Sequence, residues 1–293
     1  PNGTPTVAGD FVFGEFGQYL GVAKADGESL GGAFRFGGTG WGSPALAKDK
    51  IFVGHTGGEA HPTVRAVRLE KSEATTKWEV AWEVTTPRGS YSSPVVVDGT
   101  VYVGASDQLL AVDADSGERQ WSMPMGIPDN TAPAVVDGTL FVPDEPVLAV
   151  DAASGETLWE HSITESPWGY HPVAVADGTV YLSDNEWGLH AIDSESGETV
   201  WETTLGEGAA PATGTMPLID SSGDDSGQRT IYLSNGTQFT AVDAASGEKR
   251  WTYETPDPVD QPAALADGTV ILLSGAGNMH ALDAATGEQQ WTK

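Results

Sequence analysis

"AVDADSGERQW", residues 111–121, returns almost letter for letter as "AVDAASGETLW" at 149–159. Taken singly, the stretch reads as a carboxylate site, with Asp113, Asp115 and Glu118 gathered in a short polar turn. The wider pattern Ala-x-Asp-x-x-[Ser/Thr]-Gly-x-x-x-Trp fits five segments: Ala111–Trp121, Ala149–Trp159, Ala191–Trp201, Ala241–Trp251 and Ala281–Trp291. Self-similarity at a period of about 40–50 residues marks a repeat architecture, in which each unit buries its apolar surface only against its neighbours.

Upstream of each copy, a Pro opens an apolar run that is followed by a turn and a second apolar run. The runs are "PVVVDGTVYVG" from Pro94, "PAVVDGTLFV" from Pro133, "PVAVADGTVYL" from Pro172 and "PAALADGTVILL" from Pro262. From Pro217 the turn is lengthened by an acidic, Gly/Ser-rich insertion, and "PALAKDKIFVG" at Pro44 and "PTVAGDFVFG" at Pro5 extend the series backwards. Seven units result, at approximately 5–34, 44–84, 94–123, 133–162, 172–204, 217–254 and 262–293.

Each unit reads as four short strands. Asp-Gly between the first two runs is the two-residue hairpin signal. "TVYVG" is rich in β-branched and aromatic residues, "LLAVD" forms a third strand, and "RQWSM" follows the "ADSGE" turn. No stretch shows a helical period of adequate length. The expected fold is therefore all-β, a single seven-bladed β-propeller of four-stranded antiparallel blades over 1–293. Within the turn, Asp113 is placed to accept backbone N–H bonds and Gly117 to adopt the left-handed conformation. Trp121, Trp159, Trp201, Trp251 and Trp291 are placed to dock on neighbouring blades. The competing reading is a D-x-D-x-G calcium loop, but only the 113–117 copy has the second Asp and no helices flank it.

Composition narrows the function classes. Forty-two Asp+Glu against fourteen Lys+Arg give −28, which argues against nucleic-acid partners. The acidic, Lys-poor balance resembles that of proteins from salt-loving archaea. With no Cys there are no disulfides, thiolate chemistry or Cys-based metal sites. No apolar run is long enough to span a membrane. Because the chain starts at Pro1 rather than Met, it reads as processed or trimmed, with an export signal or lipid anchor at a missing N-terminus left open.

The eleven-residue pattern resembles the tryptophan-docking motif of PQQ-like (pyrroloquinoline-quinone-type) propeller repeats, strongly over 94–293 and weakly over 1–93. The first unit, "VAKADGESLGGAF", lacks the Trp. In the second, "AVRLEKSEATTKWEVAW" replaces the Asp and Gly and makes Trp78 and Trp82 both available for docking. The resemblance implies two different occupations. Quinoprotein dehydrogenases hold PQQ and Ca²⁺ in an eight-bladed propeller with a catalytic Asp, whereas BamB-like outer-membrane assembly lipoproteins bind no quinone and act as scaffolds. This chain is far shorter than the dehydrogenases and has no vicinal Cys pair and no recognisable set of calcium ligands. It therefore resembles the scaffolds more, with no cofactor expected and PQQ with calcium as the alternative. The BamB-like group has eight blades against the seven counted here, so either a blade lies outside this sequence or unit seven meets unit one directly.

In a propeller, function concentrates on loops that do not repeat. The residues before each opening Pro are Ser43, Ser93, Ala132, His171, Met216 and Gln261. Around them, "TESPWGYHP" supplies Trp168, Tyr170 and His171, and "SDNEWG" supplies Asp184, Glu186 and Trp187. "FRFGGTGWGSP" adds Arg35 and Trp41, and "TPRGSYSSP" adds Arg88 and Tyr91. Aromatics beside Arg suit a sugar, a peptide or a carboxylate-bearing ligand, and packing over the core ends is the alternative. His55, Glu59 and His61 form a weaker zinc candidate. His190 and His280 share one register on strand three, which points to a common sheet face. The expectation is a non-catalytic, extracytoplasmic binding or scaffold propeller for a protein or small polar ligand. The alternatives are a quinone-dependent dehydrogenase and the sensor domain of a larger membrane or kinase polypeptide.

Overall fold

The computed structural model describes residues 6–8, 11–16, 19–24, 34–35, 42–54, 63–71, 76–86, 90, 92–105, 107–125, 132–163, 173–184, 188–206, 216–220, 229–259 and 262–293. Among these, every helix-or-strand element is a strand, and the strands form seven four-stranded sheets, each paired in chain order. The third sheet, Val95–Val97, Thr100–Ala105, Gln108–Asp113 and Arg119–Pro124, is typical. Its pairings are all antiparallel. Such a meander is a propeller blade, and the fold is a β-propeller. Two compact units are distinguished, residues 1–140 with 151–156 and residues 141–150 with 157–293. In the first, the opening strands Thr6–Ala8, Ala45–Ala47, Val95–Val97 and Ala134–Val136 are successive neighbours. In the second, Val173–Ala176 lies beside Leu218–Ile219.

The burial of the strands explains their composition. Strands two and three of a sheet are covered on both faces, so Val101–Ala105 and Leu109–Val112 are all buried and read as apolar runs rather than alternations. The outer strand Arg119–Pro124 alternates between exposed and half-buried positions. The first hairpin closes with Asp98 at φ 49° and Gly99 at φ 81°, a primed turn whose twist matches its strands. In the second sheet Lys48 takes the place of that Asp, at φ 55°.

The recurrent motif is the joint between sheets. Asp113 Oδ1 accepts from the N–H groups of Asp115 and Ser116, at 3.1 and 2.7 Å, and from the Ser116 hydroxyl at 2.8 Å. The Ser116 hydroxyl oxygen in turn accepts from the Glu118 N–H. Asp151, Asp193, Asp243 and Asp283 make the same bonds in their own turns. Each turn then receives the Trp of the preceding sheet. The indoles of Trp82, Trp121, Trp159, Trp201 and Trp251 donate to the carbonyls of Ala114, Ala152, Ser194, Ala244 and Ala284, at 3.0–3.1 Å. These rings lie so close to Gly117, Gly155, Gly197, Gly247 and Gly287 that a Cβ there would fall 2.6–2.8 Å from the nearest ring atom. Gly is therefore needed as much for the absence of a side chain as for its positive φ. A β-bulge after the motif Ala, as between Ala111 and Val112, recurs at the outer strands of the second to seventh sheets.

Three aspects of this joint go beyond the sequence expectation. Docking in the second unit falls to Trp82, while Trp78 packs on the cluster of Phe13, Leu20, Ile51, Val53 and Val67. The phenols of Tyr102, Tyr181 and Tyr232 donate to the same carbonyls that receive Trp121, Trp201 and Trp251. Trp291 departs from the other docking residues: it is 39% exposed and carries Lys293 Nζ 5.8 Å from its ring centroid.

The second Asp of the D-x-D copy also finds its explanation here. Asp115 accepts from Lys48 Nζ at 2.8 Å and Lys50 Nζ at 2.6 Å, both on the turn that opens the second sheet. Lysines thus supply the cations that the calcium reading would have required. Their hydrogen bonds pull the Asp115 carboxyl down to about 2. Bonds from Ser116 lower Asp113 in the same direction. A carboxylate lowered in the folded state contributes stability above its unfolded value, and that contribution is lost as pH falls through the folded value. Thermal midpoints are expected to drop as pH is taken from about 4 to about 2, and to drop less in Asp115→Asn. Melting curves across that window, for both proteins, check this.

Candidate functional site

The two ends of each sheet differ in chemistry. At one end the first hairpin and the Asp turn are tied together, for example by Ala114 N–H to Gly99 C=O at 2.8 Å and Ala152 N–H to Gly138 C=O at 2.9 Å. At the other end the loop between strands two and three meets the connection between sheets. There Met125 N–H bonds Asp107 C=O, Val259 N–H bonds Gly236 C=O, and Gly275 N–H bonds Pro258 C=O, at 2.8–2.9 Å. Of the non-repeating residues singled out from sequence, the described Ser43, Ser93 and Asp184 belong to this second end.

Strand two closes there on a small buried side chain. Asp144, Asp184, Asn235 and Ser274 occupy the same position in successive sheets, two residues beyond the apolar Val142, Leu182, Leu233 and Leu272, and all four are buried. Three of them pin their own loop. Asp144 Oδ1 accepts from Glu145 N–H at 2.9 Å, Asp184 Oδ1 from Gly188 N–H at 2.6 Å, and Ser274 Oγ from Asn278 N–H at 3.3 Å. This economy follows from the cost of an unpaired N–H at a buried loop base.

Asp184 does more than its counterparts. It is 6% exposed, and its Oδ2 lies 2.8 Å from His190 Nε2. Gly188 closes the pocket around this pair, since a Cβ there would fall 2.1 Å from Asp184 Oδ2 and 2.8 Å from His190 Nε2. His190 also has Glu202 Oε2 3.8 Å from its Nδ1. The loop that carries Glu186 and Trp187 thus springs from a fixed base, although residues 185–187 lie outside the described residues. Asp184→Ala removes the acceptor of both a loop N–H and a buried imidazole, and is expected to cost about 2–4 kcal/mol. Urea unfolding of the variant, with Glu202→Ala as the exposed control, checks the figure.

Backbones from adjacent sheets also come together at this end. Ser43 N–H donates to Ser93 Oγ at 2.8 Å, so the residues before Pro44 and Pro94 touch directly. A Cβ on Gly42 would fall 2.9 Å from Ser92 O, and one on Gly54 would fall 2.7 Å from it. The Ser90 hydroxyl bonds Gly104 C=O. The run of Gly and Ser around Pro44 and Pro94 is thus required by close approach of main chains. Met216 and Ala132, in the same pre-proline position of later sheets, are exposed.

Of the candidate binding residues, the structure places Asp184 in full and the backbone of Arg35, which pairs with Tyr19 at the outer edge of the first sheet. Trp41, Arg88, Tyr91, Trp168, Tyr170, His171 and Trp187 lie outside the described residues, as do His55, Glu59 and His61. His190 and His280 occupy matching positions, opposite Leu182 and Leu272. His280 Nδ1 lies 3.2 Å from the Tyr253 hydroxyl. Among the described residues no three His, Asp or Glu side chains gather as a metal would need.

The sequence profile described as "Outer membrane protein assembly factor BamB" matches residues 20–167 and 143–293. The chain belongs to this PQQ-like propeller-repeat family. A crystal structure of BamB from Moraxella catarrhalis superposes with a TM-score of 0.68 at 18% identity, over 85% of this chain and 74% of that one, which shows the fold. The serine/threonine-protein kinase AfsK of Streptomyces griseus is 36% identical over 122 residues, 36% of this chain and 15% of the kinase. The quinoprotein ethanol dehydrogenase of Pseudomonas aeruginosa is 30% identical over 123 residues, 36% of this chain and 19% of the enzyme. The chain therefore spans less than a fifth of either of these two relatives.

The quinoprotein relatives raise a quinone cofactor, and two of the described carboxylates that could serve one are already engaged. The buried carboxylate Asp184 is committed to Gly188 and His190, and the doubled Asp of 113–117 to its own turn and two lysines. No catalytic step is derived through a quinone.

Proposed function

We propose that this protein is a non-catalytic binding propeller working outside the cytoplasm, taking a protein or a small polar ligand on the loop end of its sheets. The observation that carries this reading is the contrast between the two ends. At the turn end the repeated Asp side chains are consumed in hydrogen bonds within their own turns, so what repeats is architecture. At the loop end buried polar groups such as Asp184 brace connections whose other residues do not repeat. Arg35, Trp41, Arg88, Tyr91, Trp168, Tyr170, His171 and Trp187 are the candidate contacts, and Asp184 positions the loop of Trp187. Arginines offer a carboxylate two parallel bonds and aromatics offer a face for stacking. Membership in a family described as an outer membrane protein assembly factor supports a protein partner and an extracytoplasmic setting. No helix among the described residues is long and apolar enough to cross a membrane.

Short peptides with free C-terminal carboxylates, and acidic oligosaccharides, are titrated against the whole chain by tryptophan fluorescence. Binding that disappears in Arg88→Ala and Trp168→Ala, at unchanged melting temperature, is the expected result. Equal binding by both variants contradicts the site, and tight stoichiometric uptake of PQQ with Ca²⁺, followed by quinone absorbance, contradicts the non-catalytic reading. The match to AfsK favours a second reading, the sensor portion of a kinase polypeptide. The coding sequence upstream of Pro1 separates the two: a kinase or membrane segment supports the sensor, and a lipobox or twin-arginine signal supports the exported protein.

The net charge of −28 supports a saline setting for the same protein. Self-repulsion among carboxylates is screened within a few ångström in molar salt. The thermal midpoint is expected to rise between about 0.1 and about 2 M KCl. A flat profile in a differential scanning experiment removes this part of the reading.

A further inference from the structure

His190 and His280 stand in the same column of the third strand, where the third, fourth and sixth sheets have Leu110, Leu148 and Thr240. Their surroundings are opposite. The fifth sheet places a carboxylate at each ring nitrogen of His190. Asp184 Oδ2 lies 2.8 Å from Nε2, and Glu202 Oε2, on the exposed outer strand Thr199–Thr204, lies 3.8 Å from Nδ1. In the seventh sheet Ser274 stands in the place of Asp184, Thr292 in that of Glu202 and Asn278 in that of Gly188. The last exchange belongs with the first, because a Cβ at position 188 would fall 2.1 Å from Asp184 Oδ2. Three positions thus depart together to surround one imidazole with negative charge, in a column that the seventh sheet fills with His and no carboxylate.

Hydrogen bonding fixes where the protons sit. Asp184 Oδ1 accepts the Gly188 N–H and Oδ2 faces Nε2, so Nε2 is the nitrogen of His190 that carries hydrogen. A neutral ring then presents the lone pair of Nδ1 to the Glu202 carboxylate, two acceptors that no hydrogen bond can join. One more proton makes Nδ1 a donor, charges the ring and gives both carboxylates a charge-assisted partner. In the seventh sheet the Tyr253 hydroxyl donates to Gln289 Oε1, so it accepts from Nδ1 of His280, and Nε2 is the bare nitrogen. That Nε2 is buried with no hydrogen-bond partner among the described residues. A second proton on His280 would find no carboxylate in the place of Asp184 or of Glu202.

Other elements bring little charge to this face. The strand Thr157–His161 of the fourth sheet packs on it through Trp159, and its titratable residue on the Trp159 side, His161, gives Nδ1–H to Gly197 C=O at 2.9 Å. Glu145 stands at the loop end of the fourth sheet. The sixth sheet packs on the opposite face, against Leu189 and Ala191. Val200 and Thr204 flank Glu202 on its own face and are uncharged. Imidazole is the side chain whose charge changes between about pH 5 and 8.

We propose that Asp184, His190 and Glu202 form a proton-operated clamp, which closes when His190 takes a second proton and ties the outer strand of the fifth sheet, through the ring, to the end of strand two. The clamp belongs to the scaffold and does not depend on what binds at the loop end.

Nitrogen-15 spectra that resolve the two imidazole nitrogens read the proton positions, with His190→Gln assigning the signals. At pH 8 His190 is expected to carry hydrogen on Nε2 and His280 on Nδ1, and at pH 5 His190 is expected to carry it on both nitrogens. Hydrogen exchange of the Gly188 amide, corrected for its intrinsic dependence on pH, reads closure. Its protection is expected to rise about fivefold between pH 8 and pH 5. Glu202→Ala, at an exposed side chain, is expected to keep the pH 8 protection and lose most of the rise. Three outcomes overturn the proposal: hydrogen on Nδ1 rather than Nε2 of His190 at pH 8, a singly protonated His190 at pH 5, or an undiminished rise in Glu202→Ala.

Discussion

Trp82→Ala is expected to cost the fold about 3–5 kcal/mol, the largest effect of any single docking substitution. Trp82 is 8% exposed, where the rings of Trp121, Trp159, Trp201 and Trp251 are half-buried. It fills the space between Phe52, whose centroid is 5.7 Å away, and Gly117 of the next sheet. Its truncation leaves a ring-sized void in a cluster that includes Val64, Ala66, Val101, Val112 and Ala114. It also strips the Ala114 carbonyl of its indole donor. Because the second repeat has lost the Asp and Gly of the motif, Trp82 is the part of the pattern that this repeat retains. Guanidinium unfolding gives the value directly, and Trp291→Ala, at an exposed ring, is the matched control with an expected cost below about 1 kcal/mol.

Gly155→Ala is the second large effect, about 2–4 kcal/mol, from the sum of two penalties. Its φ of 77° is a left-handed conformation that a side chain disfavours by about 1 kcal/mol. The added methyl would also fall 2.8 Å from Trp121 Cδ2 and force the indole off its seat. Gly99 separates the two penalties. It has φ 81°, and a Cβ added there would meet nothing within 4 Å, so Gly99→Ala should carry the backbone cost alone. Equal midpoints for the two variants would mean that the ring is not pressed against the turn.

The fold was legible in the sequence because each joint between sheets needs the same few atoms. An Asp to close the turn, a Gly that leaves room for the ring and a Trp to reach it recur at fixed spacing, and that spacing predicts a four-stranded sheet between one joint and the next. The Tyr that shares a carbonyl with the Trp was not legible, since Tyr102, Tyr181 and Tyr232 look like any aromatic in a β-strand. Nor was the pairing of Asp115 with Lys48 and Lys50, which joins residues 65 and more positions apart, although both oddities mark departures from the repeat at adjoining units. At the loop end the sequence singled out Asp184 as part of the loop between strands two and three, and the structure shows it buried against His190. Alignment of the strand-two ends would have revealed that role, because Asp144, Asn235 and Ser274 stand in the same column. The identity of a ligand is not encoded in this way, since binding loops are under no demand to repeat.

The central claim is that the repeated Asp, Gly and Trp are architecture rather than a reactive or metal-binding site. A double-mutant cycle on Trp121→Ala and Gly155→Ala tests it most directly. If the indole sits on the glycine, removing the ring gives the added methyl room, and Gly155→Ala should cost only about 1 kcal/mol in the Trp121→Ala background, a coupling of about 1–3 kcal/mol. Strictly additive costs, or a Trp121→Ala variant as stable as the parent, would contradict the account.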